Sequence, residues 1–151
     1  MKSGDADFVF PVLGFTPDGD IWGFPDLDRL TRCGPRTLRD NSQNGMELID
    51  AKGRCWRVTA IRRTGRAGSW LSLLWMFGPP QSRIEQDLEV RPDVSLEDVQ
   101  ARASAAMKLG KEDYYGKDGQ AEYRSTLRKI GRARSIEKLY ELLAPDTFEP
   151  H

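Results

Sequence analysis

The most apolar stretch of the chain is residues 70–77, which read Trp-Leu-Ser-Leu-Leu-Trp-Met-Phe. The sequence Gly-Pro-Pro follows directly and would end any regular element, because proline has no amide hydrogen to donate. A short apolar run without a polar face is typical of a strand that is buried on both sides. We therefore predict that residues 70–77 form the central strand of an antiparallel sheet.

Further strands are predicted where aromatic and β-branched residues lie between turn sequences. A proline–glycine turn separates the first two, and a four-residue connection ending at Gly53 suits a type I turn with a left-handed glycine. We expect 70–77 to lie between the hairpin 46–61 and an antiparallel partner strand at 83–90. The predicted strands are 8–15, 21–24, 46–49, 55–61, 70–77 and 83–90.

Strict alternation predicts which side chains of these strands face the core. Along the strand 55–61, one face should carry Trp56, Val58 and Ala60, and the other Arg57, Thr59 and Ile61. The inward residues predicted for the strand 83–90 are Ile84, Leu88 and Val90.

After residue 92 the apolar period changes from two to that of a helix, which predicts helices over 95–109, 121–130 and 136–143. Residues 33–45 are rich in glycine, proline and asparagine and are predicted to be a loop. The fold class is therefore α+β: about five antiparallel strands in the N-terminal two thirds, packed by two or three C-terminal helices. The length is typical of one domain spanning 1–151.

The formal net charge of zero limits the classes of partner. A general nucleic-acid or membrane-surface binder needs a charge excess, so a protein partner is favoured over nucleic acid, and a homo-oligomer is the alternative. No apolar run approaches the roughly 20 residues of a membrane helix. The N-terminus lacks the apolar core of a signal peptide, and two cysteines suit free thiols, so we expect a cytoplasmic location.

Residues suited to catalysis are few. The single histidine, His151, is the last residue, which leaves no obvious general base. No phosphate-binding loop, dinucleotide fingerprint or zinc ligand set occurs, so neither a cofactor nor a metal is expected. A small enzyme using Cys33 beside Arg32 and Arg36, or the N-terminal carboxylates, remains an alternative.

Charge is distributed in blocks. Residues 1–28 carry −5, 29–66 carry +7, 85–98 carry −5 and 122–138 carry +4. These blocks either neutralise one another within the fold or form opposed patches that dock a partner. On the second interpretation, a charged sheet face or the loop 33–45 binds the partner. The candidate partner-binding residues are Asp18, Asp20, Arg36, Arg39, Arg57, Arg62, Arg63 and Arg66.

The layout resembles the small cytosolic α+β proteins that act as immunity partners in bacterial toxin systems. The shared features are an aromatic first hairpin around Asp18-Gly19-Asp20-Ile21-Trp22, the hairpin 48–58, a two-sided apolar strand and C-terminal helices. The resemblance implies stoichiometric binding of a toxin without catalysis, and no residue role is carried over. The leading hypothesis is thus a non-enzymatic protein-binding module. The alternatives are RNA or DNA binding through the basic hairpin 54–66 and a small enzyme.

Overall fold

The computed structural model describes residues 1–67, 81–110 and 119–143. Strands and short helices alternate in the first part of the chain, and three longer helices end it. The strands are β1 Val12–Phe15, β2 Ile21–Phe24, β3 Arg32–Cys33, β4 Glu47–Ile49, β5 Cys55–Ala67 and β6 Gln81–Arg91. The helices are α1 Leu27–Leu30, α2 Pro35–Asp40, α3 Leu96–Leu109, α4 Gln120–Arg132 and α5 Ile136–Leu143.

The strands form one antiparallel sheet in the order β2-β1-β4-β5-β6-β3. The predicted α+β class is confirmed, and the three C-terminal helices lie within one or two residues of their predicted ends. The predicted strand 8–15 is shortened to Val12–Phe15, whereas 55–61 and 83–90 extend to Cys55–Ala67 and Gln81–Arg91. Proline at position 11 precedes β1 and lies outside its ladder, as its missing amide hydrogen requires.

The predicted position of a central strand is wrong. β5 pairs directly with β6 from Cys55 opposite Arg91 to Ala67 opposite Gln81, so no strand lies between them. The other edge of β6 bonds to β3 and to the N-terminal segment, where Ser3 donates to the Gln86 carbonyl. Residues 70–77 themselves lie outside the described residues. The apolar run dominated the sequence pattern, while the polar continuation of β5 gave little signal for a strand.

The sheet must be curled, because a short connection joins strands at its opposite edges. Five inter-strand gaps of about 4.8 Å would separate β2 from β3 by about 24 Å in a flat sheet. The segment from Phe24 to Arg32 contains α1. It can span at most about 22 Å, even when all of its residues outside α1 are fully extended in one line. The connection therefore draws the two edges toward the face that α1 crosses, which we call the inner face.

Both faces of the sheet are covered. Adjacent residues such as Leu48 and Ile49 point to opposite sides, as strand geometry dictates. The helical face packs against α3, α4 and α5 through Leu13, Ile49, Cys55, Val99, Ala103, Ile130, Ile136 and Leu139. The inner face buries Phe8, Val12, Phe24, Leu30, Met46, Leu48, Trp56, Val58 and Leu88.

A bulge at Thr59 changes the predicted alternation. Val58 pairs with Leu88 and Ala60 with Asp87, which leaves Thr59 as an extra residue on β5. The prediction that Ile61 faces away from Val58 is therefore wrong, since Ile61 packs against the inner core. Val90 was also predicted inward but is 63% exposed.

The predicted loop 33–45 contains the helix α2, so the loop prediction is wrong for its first half. Pro35 is the first helical residue, where a missing amide hydrogen carries no penalty. Asn41 ends the helix in the left-handed conformation with φ of 50°. The residues that suggested a loop are thus the start and stop signals of a short helix.

The turn between β4 and β5 is held by a buried carboxylate. Asp50 has no exposed surface and accepts hydrogen bonds from the backbone N–H groups of Val9, Lys52 and Arg54, at 3.0 to 3.1 Å. The Arg54 guanidinium lies 2.8 Å from the same carboxylate and also donates to the Asp7 carbonyl. Gly53 has φ of +83°, which confirms the predicted left-handed turn residue. One side chain thus ties the N-terminal segment to the β4–β5 turn.

We predict that Asp50→Asn lowers the free energy of unfolding by about 2–3 kcal/mol, because it leaves Arg54 without its charge partner and replaces an acceptor oxygen by a donor. Urea unfolding followed by circular dichroism measures the change. The matched control is Asp40→Asn on α2, whose carboxylate is 45% exposed and whose ion pairs are screened by solvent, so that its effect should be small. Equal effects of the two substitutions would contradict the assignment of Asp50 as an anchor.

Candidate functional site

A cavity of about 510 Å³ opens where the β1–β2 turn, the start of β4, the start of β5 and the helix α3 meet. Its walls are mainly apolar or backbone, and three charged side chains converge in it. The lining residues are Phe15, Thr16, Pro17, Gly19, Gly45, Glu47, Arg57, Arg102, Ala105 and Ala106. We call this cavity the arginine pocket.

Two arginines share one carboxylate in the arginine pocket. Arg57 Nη2 donates to Glu47 Oε1 at 3.1 Å, and Arg102 Nη1 donates to Glu47 Oε2. The Arg102 guanidinium also lies over the ring of Phe15, 6.0 Å from its centroid. Each oxygen of Glu47 therefore has its own guanidinium, and the three side chains together carry a net charge of +1.

The fold explains why these three residues meet. Glu47 and Arg57 are paired across β4 and β5, and both point to the helical face because Ile49 and Cys55, each two residues away, pack there. Arg102 precedes Ala103, which packs into the same core from α3. Ala105 and Ala106 follow within one turn, and their small side chains leave the space that the pocket occupies.

The electrostatics of the pocket favour an anionic ligand. Burial acts to raise the pKa of Glu47, but hydrogen bonds from Arg102 and Arg57 outweigh it, so the pKa lies below its ordinary value. Glu47 therefore stays ionised at neutral pH. Each guanidinium has five N–H donors, and across the described residues Glu47 is the one acceptor that each of them binds. Donors remain for a second carboxylate or a similar anion.

The predicted partner-binding residues do not form one patch. Arg57 lies in the pocket, and Asp18 and Asp20 are exposed in the β1–β2 turn at its rim. Arg36 and Arg39 are on α2, where both pair with Asp40. Their separation shows that the charge blocks do not act as units.

The remaining predicted residues lie along the outer part of β5. Arg62 contacts Glu85 at 3.1 Å and Asp87 at 3.0 Å, and Lys2 contacts the same two carboxylates. Arg63 and Arg66 are exposed and have no ion pair with another described residue. Much of the basic block 29–66 is thus neutralised by acidic residues within the fold.

Both cysteines are buried free thiols. Burial raises the pKa of Cys33 to about 11, although Arg29 opposes the shift, and burial likewise raises the pKa of Cys55 to about 11. Neither side chain is a thiolate at neutral pH. The arrangement of Arg32 and Arg36 near Cys33 in sequence therefore does not activate it.

The N-terminal aspartates have structural contacts. Asp26 caps α1 by accepting from the Arg29 N–H at 2.8 Å, and Asp28 pairs with Arg32 and Arg83. Within residues 1–67, 81–110 and 119–143, no group of three or more His, Cys, Asp or Glu side chains is arranged to hold a metal ion. None of the helices in these ranges is long and apolar enough to cross a bilayer.

Glu47 and Arg102 were not predicted as site residues. Glu47 is the only acid near the start of β4, and Arg102 interrupts an alanine-rich helix, but neither pattern indicates a pocket by itself. Their meeting depends on how α3 packs on the sheet. Comparisons of the chain with known family models, with curated proteins and with solved structures gave no match.

We predict that the stability of the protein depends on the ionisation of Glu47. Its folded pKa lies below the unfolded value, so its contribution is complete above about pH 4.5 and is lost as the pH falls through the folded pKa. Glu47→Gln should lower the free energy of unfolding by about 1–2 kcal/mol at pH 7, and the gap to the wild type should be smaller at pH 3 than at pH 7.

Urea unfolding at both pH values tests this dependence. Glu141→Gln is the matched control, because Glu141 is 63% exposed and pairs with Lys138 on the surface of α5. The small effect of Glu141→Gln on the free energy of unfolding should change little between the two pH values. A gap for Glu47→Gln that persists unchanged at pH 3 would show that its ion pairs do not stabilise the fold.

Proposed function

We propose that the protein is a non-catalytic binding module that accepts an acidic group of a protein partner in the arginine pocket. The convergence of Arg57 and Arg102 on Glu47 carries this proposal. An incoming carboxylate would give each guanidinium two acidic neighbours and bring the net charge of the cluster to zero. Arginine is suited to this role because its planar donors match a carboxylate.

The size and walls of the pocket support a peptide side chain or chain terminus as the bound group. A volume of about 510 Å³ falls in the range of ligand pockets and suits a few side chains more than a large cofactor. Phe15 and Pro17 supply apolar surface beside the charges. Interfaces commonly depend on arginine and aromatic residues that are grouped in such pockets.

The chemistry of the described side chains supports binding over catalysis. Glu47 is held ionised by two arginines, so it is a weak proton acceptor and does not donate a proton at neutral pH. The thiols of Cys33 and Cys55 are neutral, because burial raises the pKa of each to about 11. The free cysteines also suit the cytoplasm, which is the compartment we propose.

The resemblance to immunity partners suggests that the protein partner, which supplies the acidic group, is a toxin. Binding through an ionic pocket would speed association with an oppositely charged partner and select against basic ones. The nucleic-acid alternative through the hairpin 54–66 is less well supported, because Arg54, Arg57 and Arg62 already contact carboxylates.

We predict that the double variant Arg57→Gln/Arg102→Gln binds a fluorescein-labelled hexaglutamate peptide at least about tenfold more weakly than the wild type. Losing a charge-assisted hydrogen bond costs about 1.5–3 kcal/mol, which is a factor of ten or more. Fluorescence anisotropy at low salt measures the affinity. Circular dichroism establishes that the variant is folded.

The control is Arg36→Gln/Arg39→Gln, which removes the same charge from exposed positions on α2. Its affinity for the peptide should stay within about twofold of the wild type. Equal losses of affinity in both variants would show that peptide binding depends only on total charge, and would refute binding in the arginine pocket. A natural partner should be retained from lysate by the wild type and the α2 variant but not by the pocket variant.

A further inference from the structure

Helix α4 carries a row of three arginines on its exposed side. Arg124, Arg128 and Arg132 are spaced four residues apart, so they lie on one face and cover about 12 Å along the helix. All three are exposed, while Tyr123 and Ile130 on the other side are buried. We call these three residues the arginine row.

Among the described residues, no acid forms an ion pair with the arginine row. Residues 120–134 contain five basic residues and one acid, Glu122, and none of the five basic side chains forms an ion pair with another described residue. Attraction to the helix dipole accounts for a basic residue such as Arg132 in the last turn. It does not account for Arg124, which lies in the N-terminal half. The row therefore differs from Arg62 on β5, which is paired with Glu85 and Asp87.

The surface beside the row is open. Gly131 lies next to the row, and a Cβ built there would meet no atom within 4 Å, so packing does not require glycine. Glycine is a poorer helix former than alanine, because its backbone loses more conformational freedom on folding. A glycine without a packing reason is consistent with close approach of a ligand to the helix.

The position of α4 is fixed by its contacts with α3. Gln100 Nε2 donates to the carbonyls of Ile130 and Ala133, at 3.0 and 2.8 Å, and so satisfies acceptors at the C-terminal end of α4. The arginine row is thus presented on a rigid helix. The Cα atoms of its three arginines are thereby held about 6 Å apart along the helix axis.

We propose that the arginine row binds the phosphate backbone of duplex nucleic acid without sequence preference, through a local charge excess in residues 120–134 that the zero net charge of the whole chain conceals. Evenly spaced guanidiniums suit a regular line of phosphates. The exposed face of α4 carries no aromatic residue on which single-stranded bases would stack. Its exposed apolar residues are the small Ala121 and Gly131. It therefore also lacks the large apolar anchor that an interface with an acidic protein needs.

This activity goes beyond the arginine pocket and does not depend on it. Arg57 and Arg102 lie in the cavity at the sheet, whereas the row is on the exposed side of α4. The variant Arg57→Gln/Arg102→Gln should therefore bind duplex as the wild type does. Failure of either proposal leaves the other standing.

The test is anisotropy of a fluorescein-labelled DNA duplex of about 20 base pairs, titrated with the full chain at 50 and 200 mM salt. If three phosphates are neutralised, the wild-type affinity should fall about 40-fold between the two salt concentrations. The variant Arg124→Gln/Arg128→Gln/Arg132→Gln should bind at least about tenfold more weakly at 50 mM salt and lose most of its salt dependence.

The matched variant is Arg36→Gln/Arg39→Gln/Arg66→Gln, which removes the same charge from other exposed positions. It should retain wild-type affinity within about twofold, and circular dichroism should show both variants folded. Equal losses in the two variants, or no duplex binding by the wild type at 50 mM salt, would overturn the proposal. If the wild type binds hexaglutamate more tightly than duplex, and the variant without the arginine row loses that binding, the surface would instead be assigned to an acidic protein.

Discussion

The inner core of this protein depends on the buried carboxylate of Asp50. The N-terminal segment that it holds contributes Phe8, whose ring lies 4.6 Å from that of Trp56. The bond from the Val9 N–H to Asp50 joins this segment to the β4–β5 turn together with two others, from the Ala51 N–H to the Val9 carbonyl and from Arg54 to the Asp7 carbonyl. A fully buried acid is tolerated because both oxygens accept hydrogen bonds from N–H groups and Arg54 balances its charge.

Charge complementarity between neighbouring strands explains most of the blockwise sequence pattern. β5 is basic and β6 is acidic, and their antiparallel register places Arg57 opposite Glu89 and Arg62 opposite Glu85. On the helical face, however, Arg57 forms its ion pair with Glu47 of β4. Ion pairs in the sheet therefore balance part of the basic block 29–66, whereas the last two arginines of β5 and the basic residues of α4 form no ion pair with a described acid.

Local signals predicted the three C-terminal helices well, and non-local packing limited the prediction of the sheet. The Ser95 side chain accepts a hydrogen bond from the Asp98 N–H and so defines the start of α3. This start could be predicted because a capping hydrogen bond is encoded within four residues. The bulge at Thr59 and the pairing of β5 with β6 depend on residues far apart in sequence. Arg57 was predicted from its charge, but Arg102 was not, since it joins the site only when α3 packs on the sheet.

Helix α3 links the two proposed binding surfaces. Arg102 points to the pocket, while Gln100, two residues earlier and so about 200° around the helix, bonds to the end of α4. Val99 and Ala103 fix α3 on the sheet between these contacts. A helix anchored in this way holds both arginine sets in constant relative positions. Disruption of the packing of α3 should therefore weaken both proposed surfaces together, because Arg102 lies on α3 and Gln100 of α3 holds the end of α4.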